Sequence, residues 1–178
     1  RILMMNTPDS QIRWDNFVVN TIGGGATTLA DNFDDEDYSG WGVWSGSWDA
    51  SDGRLHEAPG GSVGLLSHTQ SAVNNIASLS YFCADTSDPN EYMSVYPRLN
   101  YSTNDQLILD IYPGKMVVRQ YLGGTFTTLA SNLSLPSEEG EWYDVVIISR
   151  NEQIEVWRSS GYRIEYDAYG QIASVQDS

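Results

Sequence analysis

Short apolar runs alternate with turn chemistry from Asp31 to the late part of the chain, and no stretch sustains a helical period. Residues 63–66, 77–84, 92–96, 107–112, 116–122, 143–149 and 154–158 are the predicted strands. In Gln106-Leu-Ile-Leu-Asp-Ile-Tyr112, successive side chains point to opposite faces, so Leu107, Leu109 and Ile111 share one of them. Pro113-Gly114 then reverses the chain into Met116-Val-Val-Arg-Gln-Tyr121, because proline presets a turn dihedral and glycine accepts strained ones. Val145-Val-Ile-Ile148 is apolar on both faces and is expected in a covered, central strand. Tyrosine, tryptophan, glycine, serine and threonine are plentiful, as short strands with tight turns require. The expected fold class is all-β: an antiparallel two-sheet β-sandwich of the jelly-roll type.

With 178 residues the chain fits one domain with a full core. Before the main run of strands come Arg1-Ile-Leu-Met-Met5 and Ile12-Arg-Trp-Asp-Asn-Phe-Val-Val19, joined by a turn around Pro8-Asp9. These make residues 1–20 a β-ribbon. The aperiodic stretch 21–30, with Gly23-Gly24-Gly25, reads as a flexible linker, and 31–178 as the sandwich body. A lone two-stranded ribbon is marginal in water. Its apolar residues Ile2, Leu3, Met4, Ile12, Trp14, Phe17, Val18 and Val19 must therefore close a sandwich, either their own or a neighbour's.

The chain has 24 acidic and 9 basic residues, a formal charge of −15, which repels phosphate backbones and anionic headgroups. Nucleic acid and membrane surfaces are not expected partners, and no run has the roughly eighteen apolar residues of a spanning segment. The lone cysteine, Cys83, lies in an apolar run and is expected to be buried. The chain begins at Arg1 without an initiator methionine or signal peptide, and reads as an excised or processed piece of a secreted protein.

Several segments resemble the concanavalin or laminin-G type modules of bacterial extracellular proteins. They are Asp31-Asn-Phe-Asp-Asp35, Ser39-Gly-Trp41, Ser45-Gly-Ser-Trp48 and Asp52-Gly-Arg-Leu55, then Gly140-Glu-Trp-Tyr-Asp-Val-Val146 and Gln153-Ile-Glu-Val-Trp157. The resemblance implies a jelly roll and specifies no ligand. It also implies a reordering: the pair of strands that ends such modules is similar to residues 1–5 and 13–19, which here come first. A circular permutant, one register of a tandem array, or a ribbon that completes the sandwich of a neighbour would each explain this. Residues 161–173 also resemble the tyrosine-aspartate repeats of large bacterial surface proteins.

Catalysis is not expected. Glycosidases of this fold need carboxylates at alternate strand positions, and Glu165-Tyr-Asp167 is followed by Ala168-Tyr169 without the later glutamate. The only histidines are His56 and His68, and no serine sits in a nucleophile elbow. Asp31, Asp34, Asp35 and Asp37, with Glu36 and with Asp15 from the ribbon, could supply hard oxygens to a structural calcium ion; otherwise they form a solvated turn. Trp44, Trp157, Tyr96, Tyr101 and Tyr112 could stack on sugar rings, while Trp41, Trp48 and Trp142 are expected in the core. The leading expectation is a non-catalytic extracellular structural module. It would assemble with other copies into a fibre or array by β-strand complementation. A carbohydrate-binding module of a larger surface or polysaccharide-degrading protein is the alternative.

Overall fold

The computed structural model describes residues 2–6, 12–22, 27–57, 63–68, 74–83, 85–100, 102–132, 137–150, 153–160, 162–166 and 172–177. Their strands, numbered along the chain, begin with β1 (Ile2–Asn6), β2 (Ile12–Thr21), β3 (Thr27–Asp31), β4 (Gly42–Ser45), β5 (Trp48–Asp49) and β6 (His56–Glu57). Next are β7 (Gly64–His68), β8 (Asn75–Cys83), β9 (Met93–Asn100), β10 (Asp105–Tyr112), β11 (Lys115–Leu122) and β12 (Thr125–Asn132). The last are β13 (Glu141–Arg150), β14 (Gln153–Ser160), β15 (Tyr162–Tyr166) and β16 (Ile172–Asp177). Among the described residues there is no helix.

A seven-stranded sheet has the order β12-β11-β10-β9-β1-β7-β4, and a five-stranded sheet the order β14-β13-β8-β2-β3. Neighbouring strands are antiparallel throughout. Inward side chains of both sheets form one core: Met4, Leu66, Val95, Leu109 and Ile111 from the first, and Trp14, Phe17, Leu79, Tyr81, Val145 and Ile147 from the second. The protein is thus an all-β, antiparallel β-sandwich. The hairpin of β10 and β11 turns at Pro113-Gly114 with Tyr112 opposite Lys115, as its pattern requires. Val145, Val146 and Ile147 are buried in β13, between β8 and β14.

Three expectations need correction. Residues 1–20 are not a ribbon paired with itself: β1 enters the seven-stranded sheet and β2 the five-stranded one. Met4 of β1 and Trp14 and Phe17 of β2 thus reach the same core from its two opposed sheets. The linker is shorter than 21–30. Thr21 ends β2, and Thr27–Asp31 is β3, where β-branched Thr27 and Thr28 suit a strand and Leu29 packs on the core. Within the span expected to be the sandwich body, β15 and β16 pair only with each other and join neither large sheet.

Candidate functional site

The N-terminal strands occupy interior positions in both sheets. Met4 lies opposite Leu66 of β7 on one side and Val95 of β9 on the other. Trp14 lies opposite Tyr81 of β8, and Val19 opposite Leu29 of β3 and Ala77 of β8. Met4, Ile12, Trp14, Phe17 and Val19 are buried to within 1% of full burial, and Val18 is half-buried opposite Ser78. Ile2 and Leu3 hold register positions opposite His68 and Ser67. The two strands are tied across the core by a polar link: the Trp14 indole donates to Asn6 Oδ1 at 2.8 Å, and the Asn6 amide donates to the Ile12 carbonyl at 3.3 Å. Trp14 and Leu55 exchange backbone hydrogen bonds of 2.8 and 3.0 Å.

Strand alternation also builds an outer face on the seven-stranded sheet. Ser94 and Tyr96 of β9, Asp110 of β10 and Arg119 of β11 all point away from the core side that holds Val95, Leu109 and Val118. Asp110 is fully buried there, accepting a hydrogen bond from Ser94 Oγ at 2.6 Å and pairing with the Arg119 guanidinium. The guanidinium lies 5.4 Å above the Phe126 ring, whose centroid is 4.6 Å from that of Tyr121. Burial opposes the charge of Arg119, but the bond and charge of Asp110 outweigh it and raise the guanidinium pKa. Burial, then the Asp110 charge, pushes the Tyr96 phenol up to about 12.

Three of the expected sugar-stacking residues lie on this sheet. Tyr96 donates to Met5 Sδ at 3.6 Å, and Tyr112 sits 4.8 Å from Tyr92 with the Lys115 ammonium 4.3 Å from its ring centre. Trp44, 55% exposed, donates its indole N–H to Ser67 Oγ at 2.8 Å, three strands from Tyr96, or about 14 Å at the usual strand spacing. Trp157 is exposed on β14 at the edge of the other sheet and does not join them. Tyr101 lies outside the described residues. Trp41 and Trp48 are buried as expected, but Trp142 is half-buried, packed with Phe82 under the Arg54 guanidinium, because β13 turns it away from the core face of Tyr143 and Val145.

The acidic turn gathers Asp31, Asp35 and Asp37 with Asn16 and Ser39 around a cleft of about 450 Å³. Its carboxylates are already engaged locally. Asp31 accepts from the Phe33 N–H and the Trp41 indole, Asp34 from the Asn32 amide, Asp35 from the Asp37 N–H and Asp37 from the Ser39 N–H. Among the described residues, no three carboxylate, histidine or cysteine side chains stand close enough together to hold a metal ion. Asp15 is pushed upward by burial, with the nearby Asp34 charge adding to the effect. Cys83 is fully buried, and burial raises its thiol to about 11. Asp167 lies outside the described residues.

The sequence reading missed the Asp110–Arg119 pair. Its only signal was an aspartate within the apolar run of residues 107–111, on the face opposite Leu107, Leu109 and Ile111. No family model, no curated protein and no solved structure matches the chain.

Proposed function

We propose that the protein is a non-catalytic extracellular structural module whose copies assemble by β-strand complementation. One observation carries this reading: a single N-terminal segment supplies an interior strand to both sheets, so the sandwich has no complete core without it. Removing those strands would bare two rows of backbone donors and acceptors and the apolar surface beneath Met4, Trp14 and Phe17. The segment is joined to the body by the short connection of residues 22–26, which contains three glycines and links β2 to β3 as a hairpin. Opening that hairpin would let the same strands occupy the same positions in a second copy, with every contact preserved. The test is to delete residues 1–21 and supply them as a free peptide. The deleted chain should lose its folded, assembling form and regain it with the peptide. Assembly unchanged by the deletion, or a full chain that is monomeric at every concentration after refolding, would refute the proposal.

A second reading is favoured by Trp44, Tyr96 and Tyr112 sharing one sheet: that sheet would take a glycan by stacking, with Arg119 as a polar group nearby. A glycan array that retains the protein, and loses it on Trp44→Ala, supports this; no retention argues against it.

A further inference from the structure

We infer that the β12 edge of the seven-stranded sheet is a self-association surface that pairs with β12 of a second copy about a two-fold axis. An edge strand presents half of its N–H and C=O groups to solvent, and folded proteins ordinarily guard such edges with short strands, charge or proline. The other edges of this sandwich follow that rule. β3 and β4 have 5 and 4 residues, and β14 carries Glu155 and Arg158. β12 has no charge, no proline and no shortness to guard it: it is Thr-Phe-Thr-Thr-Leu-Ala-Ser-Asn, 8 residues with exposed described side chains, and its one irregularity is a bulge at Leu129, opposite the Val118–Arg119 step. Phe126, Leu129 and the adjoining Leu122 are 57%, 48% and 54% exposed.

The occupant follows from charge and from strand direction. The chain carries −15, yet between Asp110 and Glu138 it has no acidic residue. The two cations in that stretch are engaged, Arg119 with Asp110 and Lys115 over Tyr112. Two copies that repel elsewhere therefore meet here without like-charge cost. The sheet has seven antiparallel strands, so its two edge strands, β12 and β4, run in the same direction. Head-to-tail stacking by translation would pair them parallel. A two-fold axis normal to the sheet instead pairs β12 with itself antiparallel, the more stable ladder, and leaves the outer faces of both copies on the same side.

This inference rests on the proposal that copies associate, but not on exchange of the N-terminal strands. The experiment is sedimentation of the full chain over a concentration series, beside Thr128→Pro and Thr128→Lys. Counted from the hairpin's closing pair Leu122–Thr125, Thr128 turns its backbone groups away from β11, so either change should spare the fold. The wild type should shift toward twice its 19.8 kDa mass as concentration rises and fall back promptly on dilution. Both variants should stay monomeric with unchanged melting temperature. Variants that associate like the wild type overturn the edge contact. If their complexes also persist on dilution, exchange of the N-terminal strands accounts for them. A wild type that is monomeric throughout overturns both.

Discussion

If the N-terminal strands are integral to the core, Trp14 should be among the most costly residues to alter. Its side chain is fully buried, it faces Tyr81, and it bonds to Asn6 in the opposite sheet. A buried tryptophan removes about 150–250 Å² from water, worth about 4–6 kcal/mol at roughly 25 cal/mol per Å². Losing the indole N–H also leaves Asn6 Oδ1 buried without its donor, at a further cost of about 1–3 kcal/mol. Trp14→Ala therefore approaches the whole stability of a domain, about 5–15 kcal/mol, and is expected to unfold the chain. Trp14→Phe keeps most of the ring, and its expected loss is about 2–4 kcal/mol. Urea unfolding followed by far-ultraviolet circular dichroism would read this as a midpoint lowered by about 1–2 M with an unchanged slope. Trp157→Phe, at an exposed site, serves as control and should stay within about 0.5 kcal/mol of wild type. If Trp14→Phe costs no more than the control, the N-terminal strands are not part of the core.

Four further outcomes are expected. Gly64→Ala should destabilise by about 1–3 kcal/mol in thermal unfolding, because a Cβ there would lie 2.8 Å from Trp48 Cζ2 and 3.2 Å from Glu57 Cδ. Arg119→Met, which strands a fully buried carboxylate, should cost about 3–5 kcal/mol, and Asp110→Asn less, because the Arg119 side chain is 28% exposed and can turn to water; equal losses in chemical denaturation would contradict this. Burial raises Tyr81 from 10.0 to about 12 and Cys83 from 9.0 to about 11, so the unfolded chain releases these protons at lower pH than the folded one. The stability they contribute is present below pH 9 and is lost as pH rises toward 12, and Tyr81→Phe should flatten the fall of melting temperature across that window. Chelation with EDTA should leave the melting temperature unchanged, because the acidic turn is held by its own Asx hydrogen bonds; a clear drop would establish a structural cation.

Much of the fold was legible because a strand with one buried face writes its burial into every second residue. Leu107, Leu109 and Ile111 announced β10, and Trp41 and Trp48 their burial. β12 escaped because Thr-Phe-Thr-Thr-Leu-Ala-Ser-Asn has no alternation, all of its described side chains being exposed. Its only sequence sign was Gly123-Gly124, whose dihedrals φ +56° and φ +88° are those of a two-residue hairpin turn. The candidate site was less legible. Asp110 looks like a solvent-facing residue in its own strand, and only Ser94 and Arg119, brought alongside from β9 and β11, bury and neutralise it.

By itself, then, the sequence determined an all-β chain, residues that alternate into its core, and a formal net charge of −15. Tertiary structure decided where the N-terminal strands go, which carboxylate is buried, and which edge lies bare. Apolar periodicity is local and depends only on which face is covered. Strand neighbours, ion pairs and free edges depend on segments far apart in the chain, whose meeting no local pattern specifies.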